Sequence, residues 1–352
     1  MYIEFTSTGF TVANDNKRLT IIKKDFDMTP SMSNDTKSNT SNTDIKNTHT
    51  TDTTHTAESS VITDGTILAC IDGSSVTESV CDYAAWYANE LNLPLSLLHV
   101  IDVPKSYRHD LSGSIGMDSR SSLLKELTSL DEQTARVANK HGEALLQDAK
   151  AHILRTLPQA NVYSYLRRSK LLPAINHYAD NTRMIVIGRR GKDHQNDHVN
   201  IGSQIENVVR AVNRPIMVCS DGFITPESFM IAFDGSETAK RAVQIICDNE
   251  IAKNLVGHIV MVDNKDTANE TELYKAHKKM SDEGFNITAH LIDSKKIGGG
   301  DVVSALTSFR NDHNISMFVI GAYGHSKWRR FFVGSTTTKL LTKTTAPVIL
   351  LR

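Results

Sequence analysis

One pattern occurs twice in this chain and leaves few folds open to it. In the first copy an apolar run, Thr66 to Ile71, leads into Asp72-Gly73-Ser74-Ser75 and a helical pattern; later Met184 to Ile187 leads into Gly188-x-x-Gly191 and then Gly202-Ser203. In the second copy Phe229 to Phe233 leads into Asp234-Gly235-Ser236, and Met317 to Ile320 into Gly321-x-x-Gly324 and then Gly334-Ser335. Further apolar runs complete each copy: Leu95 to Ile101, Val162 to Leu166 and Pro215 to Cys219 in the first, Gly257 to Val262, Ile287 to Ile292 and Pro347 to Leu351 in the second. Helical periodicity lies between successive runs, for example Val80, Ala84, Ala85, Tyr87 and Leu91, or Ala242, Val243, Ile245 and Ile246. Five strands alternating with four helices call for a parallel, doubly wound sheet, because parallel neighbours need a crossover and the crossover helices cover both faces.

The two copies bound the domains at 61–220 and 227–352, joined near Ser220 to Pro226. Before them, Met28 to Ser60 is almost all Ser, Thr, Asn and Asp, with scattered Lys and His. Such a stretch buries too little to offset its ordering entropy, so residues 1–60 are expected to be a disordered, low-complexity tail; Leu19, Ile21 and Ile22 are the residues there that could form or dock a strand. The copies differ in length: Asp72 lies 116 residues before Gly188, but Asp234 only 87 before Gly321. The missing residues fall between the second and third strands, where the first copy has a long polar excursion over Pro104 to Arg120 before helical periodicity resumes across Ala135 to Leu157.

Charge excludes little, since 39 basic against 40 acidic side chains give a formal net charge of −1. No overall basic field argues for nucleic acid, and none is expected as a partner. Cys70, Cys81, Cys219 and Cys247 stand singly, without a C-x-x-C pair, as packing residues in a reducing compartment would. No apolar run approaches a membrane span, and Met1 to Phe10 lacks a basic region followed by a long apolar stretch. The expectation is a cytoplasmic protein with no membrane partner.

In an open parallel sheet, ligands bind beyond the carboxyl ends of the strands where the winding reverses. If the first and fourth strands meet there, Asp72 converges on Gly188 to Ser203 and Asp234 on Gly321 to Ser335. Glycines let the backbone approach phosphate oxygens, a carboxylate accepts from a ribose hydroxyl or an adenine amine, and Ser203 and Ser335 stand where a helix N-terminus favours anions. A single G-x-x-G is most often only a tight turn, and Asp-Gly-Ser only the start of a helix. The twofold occurrence in the same strand context favours the phosphate reading.

These residues resemble the universal stress protein family. The chain looks like a tandem member of the UspA family, with two domains covering about Val61 to Arg352, and Gly321-Ala-Tyr-Gly324, nine residues, then Gly334-Ser335 fits the G-x2-G-x9-G-(S/T) of its nucleotide-binding members. The resemblance implies two five-stranded sheets of the adenine nucleotide hydrolase-like type, strand order 3-2-1-4-5. It also implies pairing of the domains through their last strands, so that Pro215 to Cys219 would face Pro347 to Leu351, and two such chains could associate further as a homodimer. ATP or a related adenine nucleotide, with Mg²⁺ if required, is the implied ligand, in a stress-response regulatory role. By similarity Gly321, Gly324, Gly334, Ser335 and Thr336 would contact phosphates, Asp234 the nucleoside and Met261 the adenine, with Ile320 lining the pocket. The first-copy counterparts would be Asp72, Val100, Gly188, Gly191, Gly202 and Ser203.

The first loop departs by one residue, with ten rather than nine between Gly191 and Gly202; Arg189, Arg190 and Lys192 add positive charge there, which could hold an anion or form a solvated basic loop. Trp328, Phe331 and Phe332 are expected to anchor the second loop against the sheet. His194 and His198 could ligate a metal only if their loop were helical, and no metal is expected. No Walker-type G-x4-G-K-(S/T) occurs, and no nucleophile, base and oxyanion donor are grouped. Binding is therefore expected ahead of turnover, with a scaffold or a binder of another small ligand as the alternative and slow ATP hydrolysis as the third reading.

Overall fold

The structure, a computed structural model, describes residues 2–6, 9–14, 17–22, 65–102, 117–189, 203–263, 266–296, 301–321 and 335–352. The first copy of the pattern folds as β4 (Thr66–Ile71), α1 (Thr77–Glu90), β5 (Leu95–Ile101), α2 (Met117–Thr156), β6 (Val162–Arg168), α3 (Leu171–Tyr178), β7 (Thr182–Gly188), α4 (Ser203–Ala211) and β8 (Ile216–Cys219). The second repeats it as β9 (Ser228–Ala232), α5 (Glu237–Asp248), β10 (Val256–Asp263), α6 (Thr267–Asp282), β11 (Ile287–Asp293), α7 (Val302–Asp312), β12 (Met317–Gly321), α8 (Ser335–Lys343) and β13 (Val348–Leu351). The first half runs β6-β5-β4-β7-β8 and the second β11-β10-β9-β12-β13, both the order 3-2-1-4-5.

The central strands are apolar on both faces because helices cover both. Every residue of β4 is buried, as expected for a strand inside a parallel sheet. Alternate side chains enter two apolar layers: Ile67, Ala69 and Ile71 join residues of α1, α2, α5 and α6, while Leu68 and Cys70 join residues of α3, α4, α7 and α8.

The halves meet where the last strands pair. β13 and β8 lie antiparallel, with Val348 opposite Val218, Ile349 opposite Met217 and Leu350 opposite Ile216. Both apolar layers cross this seam, since Met217 and Ile349 belong to one and Ile216, Val218, Val348 and Leu350 to the other. Arginines then reach across to the carbonyl ends of the opposite half's helices. Arg189 donates to the Leu341 and Thr344 carbonyls at 2.9 and 2.6 Å, Arg352 to the Arg210 carbonyl, and Arg183 to the Asn249 carbonyl at 2.8 Å. A cation at a helix C-terminus satisfies orphan carbonyls and the negative end of the dipole together.

α2 begins at Met117, well before the helical pattern expected from Ala135. From Glu126 to Thr134 its residues are exposed, so the core-facing periodicity that reveals a helix in sequence is missing there. The helix has 40 residues where its counterpart α6 has 16, and most of the length difference between the two copies lies there.

Of the stretch expected as a disordered tail, residues 1, 7, 8, 15, 16 and 23–60 lie outside those described. The first 22 contribute β1 (Tyr2–Thr6), β2 (Gly9–Asn14) and β3 (Lys17–Ile22). β1 pairs antiparallel with β11, β2 with β1 and β3 with β2, extending the sheet to 13 strands and placing Leu19, Ile21 and Ile22 on the outermost one.

Candidate functional site

At the carboxyl edge of each half, the sheet brings the ends of its first, second and fourth strands level. Cys70 pairs with Ile187 and Ile71 with His99, so one step on, Asp72 stands between the ends of β7 and β5. In the second half Ala232 pairs with Ile320 and with Val260, which sets Asp234 between the ends of β12 and β10. These are the positions where winding reverses, with Gly188 and Gly321 closing β7 and β12.

The two aspartates hold the same local geometry. Asp72 Oδ1 accepts from the Ser74 amide at 3.0 Å, and Asp234 Oδ1 from the Ser236 amide at 3.0 Å. The glycine between takes a left-handed conformation in both, φ +78° at Gly73 and +71° at Gly235, which a side chain would oppose. Ser236 then caps α5, accepting from the Ala239 amide at 3.2 Å. Part of each aspartate's job is thus to turn strand into helix.

Register reassigns one residue. Met261 was expected to face adenine as the counterpart of Val100, but extending the β9 to β10 pairing puts Met261 opposite Phe233, as His99 is opposite Ile71. His99 is therefore the positional equivalent of Met261, and Val262 that of Val100. The Met261 side chain is 0% exposed, in the apolar layer beneath Gly235, so it offers no surface to a ligand. Val100 and Val262 are partly buried against the other layer. A strand seen only as sequence cannot be phased to one residue, and a one-residue slip moves a side chain to the opposite face.

Gly321 has a second reason to lack a side chain. A Cβ there would lie 2.9 Å from the Thr238 carbonyl oxygen, in the first turn of α5. Gly321→Ala is expected to lower stability by about 1–3 kcal/mol, since backbone rather than a flexible side-chain tip would have to give. A urea titration followed by circular dichroism measures it, and an unchanged midpoint would show that α5 can retreat without cost. Ile320, just before it, is buried in the apolar layer beneath.

Arg189, a candidate anion ligand, has its guanidinium on the end of α8 as described above, so the geometry turns that charge to joining the halves. Ser203 and Ser335 open α4 and α8 as expected, with Thr336 in the first turn of α8. Gly191, Gly202, Gly324 and Gly334 lie outside the described residues, as do Arg190, Lys192, His194, His198, Trp328, Phe331 and Phe332. Among the described residues, no group of three or more His, Cys, Asp or Glu is placed to hold a metal ion, and no helix is long and apolar enough to cross a membrane. Burial pushes the Cys70 and Cys81 thiols up to about 12, so neither is a nucleophile near neutral pH.

Comparison with known proteins finds one family in both halves of the chain. The family model described as "Universal stress protein family" matches residues 65–220 and again 227–352. Universal stress protein Slr1230 of Synechocystis sp. is 30% identical over 294 residues, covering 81% of this chain and 99% of its own length. The crystal structure of a universal stress protein from Archaeoglobus fulgidus superposes with a TM-score of 0.54 at 17% identity, covering 83% of this chain and 98% of that one, a likeness of fold.

Proposed function

We propose that this chain, which belongs to the universal stress protein family in both of its halves, binds ATP or a related adenine nucleotide and acts as a regulatory module in stress adaptation rather than as an enzyme. The observation that carries the reading is the convergence of Asp234, Val262 and Gly321 at one point of the carboxyl edge, with the N-terminus of α8 following a loop of family spacing. In this reading the Asp234 carboxylate accepts from the ribose, the backbone of Val262 meets the adenine edge, and the amides of Gly324, Gly334, Ser335 and Thr336 receive the phosphates. Mg²⁺, if bound, neutralises phosphate charge from the solvent side. Asp72, Val100, Gly188, Gly191, Gly202 and Ser203 form the equivalent site of the first half. Its loop is one residue longer and its Arg189 is turned to the seam, so the second site is the tighter of the two. Four unpaired, buried cysteines suit a reducing cytoplasm.

Isothermal titration calorimetry of the full chain with ATP and MgCl₂ tests the proposal. Binding is expected in wild type, and Gly324→Val is expected to weaken the second site at least about tenfold, because a branched Cβ would occupy the approach of a phosphate. No binding heat, together with no nucleotide released on heat denaturation, would sink the proposal. Unchanged affinity in Gly324→Val would place the phosphates on another loop.

A further inference from the structure

We propose that the exposed turns of α2 from Glu126 to His141 are a self-association surface, on which the same helix of a second copy of this chain lies antiparallel about Glu132. The helix packs closely on the sheet at Gly142, where a Cβ would lie 2.7 Å from Leu166 Cδ1 and 2.9 Å from His99 Cδ2. Beyond it Leu146, Ala149 and Ile153 are buried and His152 Nε2 bonds Asp82 Oδ1 at 2.7 Å, fixing the second half of α2 to the domain. The first half, over residues 126–140, is mostly exposed and has no equivalent in α6.

That half nonetheless carries an apolar stripe. Leu127, Leu130 and Val137 are 43%, 52% and 68% exposed, and with Thr134 and His141 they fall at alternating spacings of three and four residues. In sequence the spacing reaches back to Leu123. Such a seam is what two helices need to pair as a coiled coil, and it lies to one side of the face that α2 turns to the sheet at Gly142, Leu146 and Ala149.

Charge selects the occupant. In an antiparallel pair centred at the level of Glu132, Leu127 packs against the second copy's Val137 and Leu130 against its Thr134, and each contact recurs by symmetry. The flanking positions then set Glu126 opposite the second copy's Lys140, twice, with Gln133 opposite itself. Asp131 faces its own mate, at a solvated rim where salt screens the repulsion. A stripe whose flanking charges complement their own reversed copy fits a second copy of this chain, and the contact needs no nucleotide.

Sedimentation equilibrium of the full chain over a concentration series tests this. Wild type is expected to show a monomer–dimer equilibrium, and Leu130→Glu to shift it to monomer without moving the urea midpoint, since Leu130 touches no core. Glu126→Lys is expected to weaken the dimer roughly five- to tenfold by setting like charges opposite at two places. Adding Lys140→Glu to the same chain restores the pair with signs exchanged and should recover the dimer. A wild type that stays monomeric at every concentration, a dimer indifferent to Leu130→Glu, or a double variant as weak as Glu126→Lys would each overturn the proposal.

Discussion

Met217→Asp is expected to cost at least about 4 kcal/mol, a large part of the roughly 5–15 kcal/mol that holds a protein folded, and to destabilise both halves at once. Met217 is fully buried in β8, opposite Ile349 of β13, in the apolar layer that the two halves share. A carboxylate placed there would be set among the apolar side chains of that layer, and protonation relieves only part of the desolvation cost. Urea unfolding followed by circular dichroism measures the effect, with Met217→Leu as a control that should lose under about 1.5 kcal/mol. Two separate transitions, of which only the first half's moved, would show that the halves fold independently and that the seam couples nothing.

Acid should destabilise the second half through histidines that the first half lacks. His258 of β10 and His290 of β11 lie side by side, Nδ1 to Nε2 3.2 Å apart, beneath α7, whose Phe309 stacks on His313 at 3.9 Å. The His313 ring lies within 6.1 Å of the His258 ring and 5.9 Å of the His290 ring, and β1 sets Glu4 in register opposite His290. Burial, then the neighbouring histidines, pulls His258 down to about 4 and His290 to about 3 from an ordinary 6.5. Burial also lowers His277 of α6, although its bond to the Ile287 carbonyl opposes that.

Unfolding returns these groups to their ordinary value, so below about pH 6.5 the unfolded chain binds more protons than the folded one. Stability is complete above that pH and falls as pH drops toward 4. Each histidine removes up to about 1.4 kcal/mol per pH unit, and less at the half-buried His258, where solvent screens the charge. Urea midpoints at about pH 7.5 and about pH 5, above the range where most carboxylates titrate, isolate the effect. The midpoint should fall in wild type and fall much less in a His258→Phe/His290→Phe variant. Equal midpoints at both pH values in wild type would mean that the cluster accepts protons without loss.

The parts of the site that sequence made legible are those with a local cause. Asp72 and Asp234 are visible because a strand must turn into a helix there, and Asp-Gly-Ser is the chemistry of that turn. Gly321 is visible as a glycine, but its reason is the Thr238 carbonyl, 83 residues away in sequence and 2.9 Å from where its Cβ would stand. Arg189 looks like an anion ligand in a basic run and is a clamp on α8, because the carbonyls it satisfies come from the opposite half. The turns of α2 just before Ala135 escaped for the opposite reason: Leu127 and Leu130 face solvent, so the stripe did not read as a core face.

By itself, then, the sequence determined the family, its occurrence in both halves and the strand order. The repeat and its alternation of strand and helix follow from periodicity, turn residues and motif spacing along short stretches of chain, and the strand order from the family resemblance that those motifs carry. Only the tertiary structure decided which residue stands level with Asp234, how far α2 extends, where Arg189 points, and that one buried layer crosses from β8 to β13. Strand register and contacts between distant residues depend on how buried surfaces fit together. A one-residue slip or an arginine reaching across a seam changes little that can be read locally, yet it decides which atoms face the site.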